Sequence, residues 1–347
     1  MRENPYSLMF GQEPEQMISR MALSDEIYDS FLSKTPSQMI YMITGVRGAG
    51  KTVLMTEIAN TLRKNEDWVT IELNPARDLL LGLAAKLYNE SRFMKLFEQS
   101  KINLSFFGIG IEIAGAPAIT DIEAALTKML DIINKQGKRV LVTIDEVINS
   151  DDMKVFASAY QIFIRQGLPL FLIMTGLYDN IDALQNEKIL TFLHRAPKIR
   201  LKPLNIRSIA EHYKNTLEID DDSAKKMADI TSGYPFAFQV LGYYTYENKG
   251  DYIKAMPNYR QRLEEYVYDK IWSELSPTDK RVAHAIACVK SGKIVEIRNL
   301  LHMESNEFAP YRDRLVKKGI INGEERGTVR FELPLFEEYV KDKMYDL

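Results

Sequence analysis

The sequence predicts an α/β fold, a doubly wound parallel sheet, extended by an all-helical region and a C-terminal unit of helices and a hairpin. Three observations predict it. Apolar strand-like runs alternate with amphipathic helical patterns between positions 39 and 201, the order that builds a parallel sheet covered by helices on both faces. From Pro203 the pattern becomes all-helical. Beyond Ser276 three helical segments precede two short strands, which is the order of a winged helix-turn-helix.

Taken in order, residues 1–37 read as an arm that packs on the sheet core. It carries Asn4-Pro5-Tyr6, Phe10-Gly11 and a helical pattern from about Glu15 to Leu32, and Pro36 closes it. An apolar strand then ends in Thr44, and 51–63 is an amphipathic helix. A strand follows at 68–73 and a helix at 78–89. Apolar alternation around Gly108 and Gly110 suggests a β-hairpin over 102–113. Thr120 and Glu123 have capping-box spacing, and Gly137 ends the helix they start. The run 139–144 is apolar nearly throughout, as a strand buried on both faces should be. A helix (152–166), a strand (168–174), a helix closing at 189–195 and a short strand (198–201) complete the core, 38–202.

The helical lid, 203–275, holds candidate helices at 206–217, 220–231, 236–247 and 259–274, with Gly233-Tyr234-Pro235 breaking the run. Ser276 caps the next helix and Pro277 takes its first-turn position. Helices at 278–290, 294–301 and 305–318, strands at 320–322 and 328–333 and a last helix from Leu335 make up the winged unit, 276–347.

Composition sets bounds. The chain of 347 residues is long enough for two or three domains. A net charge of −3 gives no whole-chain reason to expect nucleic acid and leaves room for a local basic patch. Cys288 is the single cysteine, so no intrachain disulfide forms; beside Val282, Ile286 and Val289 it reads as a buried thiol. His194, His212, His284 and His302 lack zinc-ligand spacing. The apolar run 168–177 is too short to span a bilayer, and no basic-then-apolar leader opens the chain. A cytoplasmic protein without a membrane partner is expected.

The chemistry centres on 39–53. Strand, Gly45-Val46-Arg47-Gly48-Ala49-Gly50, Lys51-Thr52 and then Val53 in a helix follow the order of the phosphate-binding P-loop. Glycines let the backbone turn its N–H groups toward phosphate oxygens, and the helix start adds its positive dipole end. Lys51 is placed to reach the β- and γ-phosphates of ATP, and the Thr52 hydroxyl to ligate Mg²⁺. Asp145 ends a buried strand and suits the second metal-side carboxylate; Glu146, one residue on, suits a group that orients water. The competing reading is a pair of acids that merely starts a solvated loop.

These residues carry a resemblance. Residues 45–52 as Walker A, 141–146 as Walker B with a following glutamate, the three-domain order and Gly233-Tyr234-Pro235 together resemble the AAA+/STAND-type P-loop ATPases. Within that group the chain is similar to the archaeal ATPases and the ORC/Cdc6-like class with a C-terminal winged helix. The resemblance implies ATP and Mg²⁺ as ligands and hydrolysis to ADP. It implies that Thr175, at the sensor-1 position, bonds the γ-phosphate or its water, against the alternative of an ordinary strand-end threonine. It places Arg195 where such ATPases carry an arginine that reaches a phosphate across an interface, and Pro235 where a lid proline meets nucleotide. Ile18 and Arg20 match the segment beside adenine. One departure stands out: ORC-type proteins carry a sensor-2 arginine after the lid glycine, and here the stretch reads Pro235-Phe236-Ala237-Phe238.

In the winged unit Arg312, Arg314, Lys317 and Lys318 form the basic set of the third helix, with Arg326 and Arg330 on the wing. Asp313, Glu324 and Glu325 interrupt the patch. Two readings follow. One is an ATP-hydrolysing switch that engages duplex DNA through this helix. The other is a signalling or defence scaffold that binds ATP and assembles, as an ATP-dependent homo-oligomer or with protein partners, without DNA.

Overall fold

The structure, a computed structural model, describes residues 3–9, 17–110 and 115–345. Phe10, Gly11, Glu15 and the residues 111–113 of the expected hairpin lie outside the described residues. By its contacts the chain divides into two compact units. A sheet unit comprises Arg20–Thr44 and Lys51–Arg200; a helical unit comprises Leu201–Leu347 with Gly45–Gly50 and the described part of Met1–Ser19.

The sheet unit runs α1 (Met21–Leu32), β1 (Ile40–Thr44), α2 (Lys51–Arg63), β2 (Trp68–Leu73), α3 (Leu79–Tyr88), α4 (Met94–Gln99), α5 (Ile122–Lys135), β3 (Arg139–Ile144), α6 (Asp151–Arg165), β4 (Leu170–Gly176), α7 (Tyr178–Gln185) and β5 (Lys198–Arg200). All strand pairs are parallel, in the order β2-β3-β4-β1-β5. β1 and β4 are buried at every position, because helices cover both faces of a parallel sheet. Phe31 of α1 is fully buried and lies against Tyr41, Trp68 and Phe171, so this helix packs within the sheet unit. Truncating such a ring to alanine costs about 3–5 kcal/mol.

Four local expectations are corrected here. The described residues 102–110 form no strand: a 3₁₀ turn, Ser105–Phe107, sits there instead, closed by Phe107 N–H to the Leu104 carbonyl and Gly108 N–H to the Ser105 carbonyl, and Asn103 Nδ2 before it donates to the Ala116 carbonyl. Alternating apolar residues here feed one core from an irregular loop. Asp121, not Thr120, caps α5, its Oδ1 accepting the Ala124 N–H at 2.7 Å. The expected helix at 189–195 is a 3₁₀ turn, Thr191–Arg195, and the helix before it is α7. The strand read at 168–174 is shifted to Leu170–Gly176, which brings Thr175 and Gly176 into the sheet.

The helical unit runs α8 (Ile206–Leu217), α9 (Asp221–Thr231), α10 (Pro235–Glu247), α11 (Tyr252–Leu263), a π-helical turn (Glu264–Tyr268), α12 (Asp269–Ser273), α13 (Pro277–Cys288), α14 (Ile294–Leu301), α15 (Ser305–Lys317), β6 (Ile321–Asn322), β7 (Arg330–Phe331) and α16 (Phe336–Tyr345). The helix expected from Tyr259 starts earlier, at Tyr252. Pro257 stands within its first turns and does not break it. Ser276 and Asp279 form a full capping box with Pro277 in the first turn, as the sequence implies. β6 and β7 pair antiparallel. One buried cluster extends from Tyr6 through Tyr213, Phe238, Tyr268 and Ile286 to Val340. Tyr6 of the N-terminal segment is seated against Gly242, where a Cβ would stand 2.5 Å from its ring.

Cys288 is exposed, not buried. Val282, Ala285 and Ile286 take the inward face of α13, and the thiol at the helix end falls outside that stripe. Among the described residues no helix is long and apolar enough to cross a membrane, and no group of three or more acidic, histidine or cysteine side chains could hold a metal.

Candidate functional site

Parallel register brings the acidic residues to the threonines. In the β3–β4 pair Ile144 lies opposite Met174, so the next residues, Asp145 and Thr175, are neighbours at the carboxyl edge of the sheet. Open parallel sheets bind ligands at that edge. Thr175 Oγ1 donates to Asp145 Oδ1, and Thr52 Oγ1, in the first turn of α2, donates to Asp145 Oδ2 at 2.7 Å. The Glu146 N–H reaches Asp145 Oδ1 at 3.0 Å and Thr175 Oγ1 at 3.3 Å, and the Val147 N–H bonds the Thr175 carbonyl at 2.9 Å. Asp145 is half-buried and Thr175 fully buried, while Glu146 is exposed.

Glu146 has φ +51°, the left-handed region. A non-glycine residue there costs about 1–2 kcal/mol. The bend points the Glu146 side chain outward while its N–H turns back to Asp145 and Thr175. Lys51 opens α2 and is buried, with Thr52 half-exposed beside it.

Gly45–Gly50, described within the helical unit, is contacted by the turn at 233–236. The Tyr234 hydroxyl donates to the Arg47 carbonyl, the Phe236 N–H donates to the Gly48 carbonyl at 3.2 Å, and Pro235 lies 3.9 Å from where a Gly50 Cβ would be. Gly48 and Gly50 take φ +71° and +86°, a conformation that glycine adopts without strain. Gly48 also has no room for a side chain, since a Cβ would stand 2.3 Å from the Tyr234 hydroxyl. Gly233 (φ +74°) turns against the Leu204 backbone, whose N–H bonds the Gly233 carbonyl at 2.7 Å.

Thus Thr52, Asp145, Glu146 and Thr175 form one bonded set, and Pro235 meets the glycine loop. Ile18 packs on the helical core and Arg20 precedes α1, where burial lowers its guanidinium pKa. Arg195, itself exposed, ends the 3₁₀ turn before β5, and among the described residues no contact joins it to the Asp145 set. Toward the C-terminal end of the helical unit two basic residues are engaged internally. Arg312 bonds Asp313 and the Gly323 carbonyl, both at 3.0 Å, and Arg314 bonds the buried Asp279 at 3.0 Å. Lys317 and Arg326 are exposed and Lys318 is half-exposed. Sequence reasoning missed Tyr234, because an aromatic between glycine and proline has no motif of its own.

The donor set fits the ligands the motifs imply. Thr52 and Asp145 supply adjacent hard oxygens of the kind Mg²⁺ takes, and a loop of glycines at a helix start suits phosphate.

Residues 30–161 match a family described as an ATPase domain predominantly from Archaea. The whole-chain fold is similar to the Walker-type ATPase of Pyrococcus abyssi, at TM-score 0.67 and 18% identity over 96% of this chain and 99% of that one. It is similar also to the ORC2 protein of Aeropyrum pernix (TM-score 0.60, 14% identity, 98% of each chain) and to Cdc6p of Pyrobaculum aerophilum (0.50, 13%, 97% of each). The chain has the fold of an AAA+ P-loop ATPase of the ORC/Cdc6 kind. The parallel sheet with its flanking helices is that of this fold, as the sequence resemblance implied. Residues 265–340 match a family described only as a domain of unknown function. No curated protein sequence matches the chain.

Proposed function

We propose that this protein binds ATP and hydrolyses it to ADP and phosphate in an Mg²⁺-dependent reaction, and that nucleotide state acts on a C-terminal winged helix. The observation that carries this is the convergence of Thr52 and Thr175 on Asp145, with Glu146 one residue on. Residues 45–53 cradle the phosphates and Lys51 neutralises their charge. Thr52 and Asp145 are the residues that would hold Mg²⁺, which when bound supplies charge neutralisation at the β- and γ-oxygens. Glu146 orients the attacking water. Thr175 keeps the Asp145 carboxylate and the Glu146 backbone in place, since its hydroxyl is already given to Asp145. Arg195, exposed on its turn, serves a site on a second copy. Pro235 contacts nucleotide from the lid, and Ile18 and Arg20 flank the base. In this reading the chain is organised as an arm (1–37), a core (38–202), a lid (203–275) and a winged unit (276–347), in the cytoplasm.

Phosphate release from ATP tests the enzyme reading. Wild type should turn over and Glu146→Gln should not; equal background rates in both overturn it.

For the winged unit, duplex DNA is the first target, through Lys317, Lys318, Arg326 and Arg330. A protein partner is the second reading, and one observation favours it: Arg312 and Arg314 are taken by internal acceptors. Filter binding at low salt, in each nucleotide state, separates the two. Salt-sensitive retention of duplex that Lys317→Ala/Lys318→Ala abolishes supports DNA. No retention, with ATP-dependent growth in mass by light scattering, supports the scaffold.

A further inference from the structure

The P-loop pattern leaves the third residue of the loop free, and here it is Arg47. One guanidinium nitrogen, Nη2, donates to Glu274 Oε1 across 3.0 Å, with 31% and 33% of the two side chains exposed. Nε of the same group is buried and has no partner among the described residues, so it is a donor left over for an anion. Glu274 has a second cation, Lys270, at 3.5 Å. It closes α12 two residues before Ser276, the cap of α13.

The backbone of Arg47 is held separately, by the Tyr234 hydroxyl on its carbonyl. A trans peptide is planar, with its carbonyl and the following N–H on opposite sides. Drawing the Arg47 carbonyl to Tyr234 therefore aims the Gly48 N–H away from the lid turn. Tyr234 thus presets one donor of the anion-binding loop.

We propose, resting on the nucleotide reading above, that Arg47 is shared between nucleotide phosphate and Glu274, with Tyr234 as the positioning residue of the loop. Phosphate draws Arg47 from Glu274, and Glu274 falls back on Lys270. An ion pair of this exposure is weak, about 0–1 kcal/mol, so exchange is easy. By linkage, whatever strengthens Arg47–Glu274 weakens nucleotide binding, and the reverse.

The test is titration of the full chain with a fluorescent ADP analogue, mant-ADP, in Mg²⁺. Glu274→Gln removes the competitor and should tighten binding about threefold. In an Arg47→Ala background the same change should do nothing. Tyr234→Phe removes the preset donor and should weaken binding about fivefold. A purely structural role predicts loss in every variant, never a gain. Unchanged or weaker binding by Glu274→Gln, or a gain that persists without Arg47, overturns this inference while the nucleotide reading stands. A wild type that binds no mant-ADP overturns both.

Discussion

The hydroxyl of Thr52 donates to Oδ2 of Asp145 across 2.7 Å, joining the first turn of α2 to the end of β3 over 93 positions of sequence. The contact brings together the two oxygens proposed above to hold Mg²⁺. Asp145→Asn keeps the shape and removes the charge, and Mg²⁺-dependent phosphate release should fall by about two orders of magnitude or more. Retention of full activity would remove Asp145 from the site.

Thr175→Ala deletes one of the donors to Asp145 Oδ1. A lost positioning bond of about 1 kcal/mol predicts a kcat roughly five- to tenfold lower with KM little changed. Thr175→Ser, which keeps the hydroxyl, should restore it. Steady-state kinetics on the two variants distinguishes positioning from simple packing.

Glu146 supports a comparison of stability with activity. Its φ of +51° suits glycine better than any residue with a Cβ. Glu146→Gly and Glu146→Ala both lose the carboxylate and should both lose hydrolysis. Glu146→Gly should nonetheless be more stable than Glu146→Ala by about 1 kcal/mol in urea unfolding, the reverse of the order in a helix interior.

Arg314 answers to the buried Asp279, whose Oδ2 also accepts the Ser276 hydroxyl at 2.6 Å. Arg314→Ala should cost about 1–2 kcal/mol of stability, the penalty for a buried acceptor that loses a charged partner, discounted for the exposure of the arginine. Lys317→Ala/Lys318→Ala should stay within about 0.5 kcal/mol. Thermal unfolding of both shows which pair can be used to probe DNA without damage to the fold.

His212 sits edge-on to Tyr6 and Phe238, 5.9 and 5.0 Å between ring centres, and burial holds its pKa below the usual 6.5. The unfolded chain therefore binds the proton more tightly. Stability is full above about pH 6.5 and declines as pH falls toward the depressed folded value. His212→Phe should flatten that part of the slope in a series of melting curves from pH 7.5 to pH 5. An unchanged slope would place the acid sensitivity elsewhere.

By itself the sequence determined what is local. The span of α2, the strand 139–144, the helix 206–217 and the Ser276 cap are all legible from periodicity, composition and capping chemistry. So are the glycine loop and the acids after a buried strand, because their chemistry needs fixed residue types at fixed spacing. Tertiary structure decided what depends on strand order and on partners distant in sequence. Only the placement of β4 between β1 and β3 puts Thr175 on Asp145. Only docking of the turn at 233–236 on the loop brings Tyr234 to Arg47 and Gly48. Only the packing of α15 against α13 takes Arg314 for Asp279. Periodicity reports which face of an element is buried, and it carries no record of the element waiting on the other side.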